Sequence, residues 1–139
     1  MKYKFECGGR HKYFNCVCQL KKYGADDCTM RSIVIATGLD YKFVWDSLAD
    51  LSKETGYLPN SREICEMFLN KFGWERHSPF KKGNTNKKYK LRNVPIEKDK
   101  NYIFQTSGHW TAVVDGVVLD TWDCREWCAN SYWMKKATE

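Results

Sequence analysis

Cys28, His109 and Asp120 are the residues of this chain whose types and surroundings could do covalent chemistry. Cysteine is a useful nucleophile only as its thiolate, and the first turn of a helix favours that anion through unpaired amides and the helix dipole. Cys28 stands at such a place. Asp26-Asp27 precedes the run Cys28 to Thr37, and Gly38 follows it, so an acidic cap, a strongly apolar body and a closing glycine predict a buried helix. The amides that favour the thiolate would also stabilise an oxyanion once the sulfur attacks a carbonyl. A base is then needed, and His109 is the candidate, with His77 in reserve.

The case for His109 rests on a hairpin. Residues 109–114 and 117–122 alternate as two strands around Asp115-Gly116, a dipeptide that favours a two-residue turn. That turn sets the register: Val114 opposite Val117, Ala112 opposite Leu119, Thr111 opposite Asp120 and His109 opposite Trp122. Side chains alternate faces along a strand and agree in face across a pair. His109, Thr111, Val113, Val118, Asp120 and Trp122 therefore share one face, with Asp120 diagonal to His109 and able to orient its ring. Asp123 points to the other face, which favours Asp120 of the two acids.

Further elements must position these residues. Met1 to Ala25 lacks helical periodicity and reads as an irregular, cysteine-rich arm or short hairpin, with Gly8-Gly9 as a turn. A second helix is expected from Tyr41 to Thr55, with Val44, Trp45, Leu48, Leu51 and Ser52 in one core-facing stripe. A third begins at the Ser61 cap and buries Ile64, Phe68, Leu69 and Phe72 before Gly73. Trp74 to His77 reads as a short strand and Asn101 to Thr106 as a longer one. The segment 78–100 reads as a polar, basic loop, and its part up to Arg92 as having nothing to bury. Helices first and an antiparallel sheet afterwards predict an α+β fold, a single domain over 1–139.

A cysteine at a helix start, a histidine opening a strand and an acid on the returning strand resemble the arrangement of papain-like cysteine peptidases. The resemblance implies a helical lobe carrying Cys28 packed on a C-terminal antiparallel sheet carrying His109 and Asp120. More narrowly, "DDCTMRSIVIATGLDY", "GYLPNSREI" and "HWTAVVDGVVLDTWD" resemble small uncharacterised proteins of bacteriophages and their hosts, which implies a host-cytoplasmic setting. Papain-like peptidases carry a Gln six positions before the nucleophile as an oxyanion donor. Here that position is Lys22, and the resemblance passes the role to Gln19 across a longer loop. The reaction implied is acyl transfer by a thiol hydrolase on a peptide or protein, with no cofactor.

Other readings stand beside this one. Cys28 would also suit a small core position, and Asp120 a sheet residue paired with Lys or Arg. Cys7, His11, Cys16 and Cys18 lie within twelve residues and could form a structural zinc site, though the spacing is not that of a zinc knuckle. Cys124 and Cys128 lie near the other end, and Cys65 falls in the third helix. The chain of 139 residues carries 23 Lys+Arg against 17 Asp+Glu, a net +6 that peaks at Lys81, Lys82, Lys87, Lys88, Lys90 and Arg92. That run makes a second class conceivable: a catalytically silent scaffold that binds a host protein or nucleic acid through its basic loop. Trp110, Trp122, Trp127 and Trp133 would serve as a base-stacking platform or as core. With 42% hydrophobic residues the chain can build a core, and it has no apolar run long enough for a membrane span or signal peptide. Seven cysteines then suggest a reducing cytoplasm in which thiols stay free.

Overall fold

A computed structural model describes residues 1–15 and 25–137. Three helices, α1 (Cys28–Thr37), α2 (Tyr41–Thr55) and α3 (Arg62–Lys71), lie between a first strand and five later ones. The strands are β1 (Lys2–Phe5), β2 (Trp74–His77), β3 (Tyr102–Thr106), β4 (His109–Val114), β5 (Val117–Asp120) and β6 (Tyr132–Lys135). They form one six-stranded sheet in the order β1-β5-β4-β3-β6-β2. The chain is thus α+β. No helix among the described residues is long and apolar enough to cross a membrane.

Local chemistry explains most of the element boundaries. The Asp40 carboxylate accepts from the Lys42 and Phe43 N–H groups to start α2, and the Ser61 hydroxyl accepts from Ile64 N–H to start α3. The α1 cap differs from expectation. Asp27 holds the cap position, but its side chain makes no capping bond and is directed elsewhere. At the hairpin, Asp115 and Gly116 have φ of 54° and 73°, the left-handed pair that a tight turn between twisted strands requires. The expected register follows, with Val114 on Val117, Val113 on Val118 and Ala112 on Leu119.

Three expectations need correction. The N-terminal arm is not irregular throughout, and among its described residues the one strand pairs far along the chain: Lys2–Phe5 joins the sheet and runs parallel to β5, Lys2 opposite Val117 and Phe5 opposite Asp120. The sheet is therefore mixed rather than wholly antiparallel. Strand β6 was not foreseen, because Tyr-Trp-Met-Lys is too short a pattern to stand out; it pairs with both β3 and β2. And the basic loop does have something to bury. Leu91 and Val94 are buried within it, and Phe80, Tyr89 and Ile96 pack beside them.

The last point follows from the sheet having two covered faces. On one face Trp110, Ala112, Ile103 and Trp133 meet the helical side chains Ile33, Val34, Val44, Leu48, Ile64 and Phe68. On the other, Tyr102, Phe104, Val113, Val118 and Tyr132 need cover of their own, and segment 78–100 with Cys124 and Ala129 supplies it. Full burial of each large apolar side chain contributes about 1.5–3 kcal/mol. Burial on α2 is narrower than its stripe suggested: Val44 and Leu48 are buried, whereas Trp45 is 41% exposed.

Candidate active site

Helix α1 packs against β4, and Cys28 at the start of the first and His109 at the start of the second border one cleft. The His109 ring and the Trp110 backbone N–H lie close enough to Cys28 to act on its thiol electrostatically. On the far side of the ring, His109 Nε2 lies 2.7 Å from Asp120 Oδ2. Since Asp120 occupies Nε2, Nδ1 is the ring nitrogen left for the sulfur. The three residues line or underlie an open cleft of about 420 Å³ bounded by Phe5, Asp26, Gly108, Thr121 and Trp122. The Trp122 ring sits 4.8 Å from the His109 ring, centroid to centroid.

The electrostatics favour an ion pair. Burial pushes the Cys28 thiol up, but hydrogen bonds from His109 and Trp110 and the nearby positive charges of His109 and Arg31 outweigh it and hold it below the ordinary range. Burial pulls His109 down, but its bonds to Asp120, Cys124 and Cys28 and the Asp120 charge raise it to about 11. Burial pushes Asp120 up, and the His109 bond with the charges of His109 and Arg31 brings it below the usual carboxyl range. The three shifts act together: each favours the charged form of its group.

Sequence reasoning missed what holds Asp120. Arg31, 5% exposed on α1, donates from Nη2 to Asp120 Oδ1 at 2.9 Å and from Nη1 to Asp27. Thr121 N–H donates to the same Oδ1 at 2.7 Å. Asp27 in turn accepts from the Tyr41 hydroxyl at 2.8 Å, and Tyr41 receives Arg10 Nη1 at 2.8 Å. A buried chain of charge therefore runs from Arg10 through Tyr41, Asp27 and Arg31 to Asp120, His109 and Cys28. The planar guanidinium fork suits this role because it serves two carboxylates at once. A signal was present: Arg31 is the one charged residue of an otherwise apolar helix, with Asp27 four positions before it. The alternative for Asp120, pairing with an arginine, proves compatible with its contact to His109.

Other candidates fall elsewhere. His77 on β2 stacks on Tyr132 at 5.1 Å and is three strands from β4, about 14 Å across the sheet, so the reserve base does not meet Cys28. Asp123 pairs with Arg125. Cys65 is fully buried, and burial raises its thiol to about 11. Gln19 and Lys22 lie outside the described residues, as do Cys16 and Cys18 of the suggested zinc set. The other two members of that set touch, Cys7 Sγ lying 3.3 Å from His11 Nδ1. A different group of potential ligands, His109, Asp120 and Cys124, places its donor atoms within 4.8 Å of one another. There, however, His109 and Arg31 already take the Asp120 oxygens, so a metal would have to displace an ion pair. Comparison with protein-family models, with curated proteins and with solved structures found no match.

Proposed function

We propose that this protein is a cysteine-dependent acyl-transfer enzyme of papain-like architecture, a hydrolase of peptide, amide or isopeptide bonds. The observation that carries the reading is that Cys28 lines one open cleft with a His109 ring whose Nε2 lies 2.7 Å from Asp120. Each residue has one role. The Cys28 thiolate attacks the carbonyl carbon, forming an S–C bond as the carbonyl π electrons move to oxygen. The Cys28 backbone N–H, in the first helical turn and so without an intrahelical partner, would donate to that oxyanion. His109 then gives its proton to the leaving nitrogen, oxygen or sulfur as the bond to carbon breaks, leaving a thioester on Cys28. Water, deprotonated by His109, attacks the thioester and restores the thiolate and the imidazolium. Asp120, fixed by Arg31, keeps the imidazole in the tautomer that points Nδ1 at sulfur.

The experiment is acylation by a small activated ester followed by peptide mass mapping. The acyl group is expected on Cys28, to be lost in Cys28→Ser and to form more slowly in His109→Ala. Iodoacetamide at neutral pH should likewise label Cys28 well ahead of Cys128, the exposed thiol that serves as an internal standard. Equal labelling of the two would overturn the proposal.

A further inference from the structure

Four lysines stand together on one hairpin. Lys81 and Lys88 face each other in an antiparallel bridge, and Lys82 N–H bonds to Lys87 carbonyl at 2.9 Å. Like charges directly opposite one another destabilise a strand pair. Several cations elsewhere are offset: Lys42 pairs with Asp46, Lys100 with Glu97, and Lys90 and Arg92 share Glu126. Among the described residues, Lys81, Lys82, Lys87 and Lys88 have no acidic partner within ion-pair distance. The hairpin is nonetheless anchored. Phe80 at its base stacks on Tyr132 at 4.7 Å, and Lys88 Nζ bonds to Asn130 Oδ1 at 2.8 Å.

Beside it stand two exposed tryptophans. The return arm of the hairpin pairs with residues 125–129, Leu91 N–H donating to the Trp127 carbonyl at 2.8 Å and Ala129 N–H to the Tyr89 carbonyl at 2.8 Å. Trp127 is 44% exposed and Trp122 38%, packed edge to face at 5.6 Å. Of the four tryptophans considered for stacking, Trp110 and Trp133 are core, and these two remain on the surface. A row of lysines with no acidic partner among the described residues, beside exposed indoles, matches what single-stranded nucleic acid needs, a cationic track for phosphates and a ring face for bases. A protein partner fits less well, because lysine is depleted in the centres of protein interfaces.

We propose that the Lys81–Lys88 hairpin and the Trp122–Trp127 pair together bind single-stranded nucleic acid, the lysines tracking phosphates and Trp127 stacking a base. The site adjoins the thiol cleft at Trp122, whose ring lies 4.8 Å from that of His109, whereas the four lysines and Trp127 do not line that cleft. The test is fluorescence anisotropy with a labelled, mixed-sequence single-stranded 20-mer across a salt series. Four neutralised phosphates give a slope of log affinity against log salt near −3, at about −0.7 each. Trp127→Ala should weaken binding roughly 5- to 100-fold with the slope unchanged. Exchange of all four lysines for glutamine should flatten the slope, and Lys82→Gln with Lys87→Gln, at the turn, should halve it while circular dichroism stays unchanged. No saturable binding at low salt would overturn the proposal, as would an unaltered affinity in Trp127→Ala. Displacement by polyglutamate as potent as by unlabelled oligonucleotide would do so too and would indicate an acidic protein instead.

Discussion

Replacing Arg31 by methionine removes a buried guanidinium and leaves its two carboxylates in place. Arg31 is 5% exposed and holds Asp27 and Asp120, themselves 3% and 1% exposed. Breaking a buried ion pair from one side costs about 3–5 kcal/mol. Asp120 keeps His109 and Asp27 keeps Tyr41, so the loss should sit at the low end, about 3 kcal/mol or a fall of about 10 °C in Tm. Urea denaturation followed by tryptophan fluorescence reads it directly. The pH dependence carries a sign. Asp120 is held below its ordinary value, so its contribution is present above the unfolded carboxyl value of about 4 and is lost as pH falls through the lower folded one. Without Arg31 that contribution shrinks, and the gap between the natural chain and Arg31→Met should be widest at neutral pH and narrow on acidification. Adding Asp27→Asn removes one stranded charge and should return at least about 1 kcal/mol. A loss under about 1 kcal/mol at pH 7, or a gap indifferent to pH, would refute the assignment of Arg31 as the clamp.

Two further outcomes are expected. The Cys28 thiolate contributes stability above the ordinary thiol range and loses it as pH falls through its depressed value, while protonated His109 contributes up to about 11. Thiolate ultraviolet absorbance should therefore rise at lower pH in the natural chain than in His109→Gln, and that component should be absent from Cys28→Ser; identical titrations would contradict it. Gly116→Ala puts a Cβ at φ +73° and 3.1 Å from Lys98 Cγ. The lysine chain can move aside, so the backbone sets the cost at about 1–2 kcal/mol, seen as a lower urea midpoint at unchanged m-value.

The parts of this molecule that were legible in its sequence are those governed by local rules. Ser61, Gly56 and Asp115-Gly116 mark boundaries by chemistry contained within a few residues, and the hairpin register follows from its turn by counting. That count brings Asp120 to His109. The parts that were not legible depend on partners far along the chain. Lys2–Phe5 has no pattern of its own and becomes a strand only because β5 offers it an edge. Leu91 and Val94 are lone apolar residues in a polar run, and what buries them is the second face of a sheet assembled from four other segments. Arg31 lies between the two cases, since its anomaly was local but the Asp120 it clamps is 89 residues away.

The parallel strand β1 has a consequence in time. Glu6 N–H and the Tyr3 hydroxyl both donate to the Asp120 carbonyl, at 3.0 and 3.2 Å, across 117 residues in the second case. A ribosome making roughly 5–20 residues per second takes roughly 6–25 s to traverse that separation. The strand synthesised first must therefore wait, unpaired, for nearly the last strand of its sheet, and such long-range closure is the slow part of folding. Cys28, the proposed nucleophile, likewise emerges before His109 and Asp120 have been translated, so the proposed site can assemble only when the sheet closes.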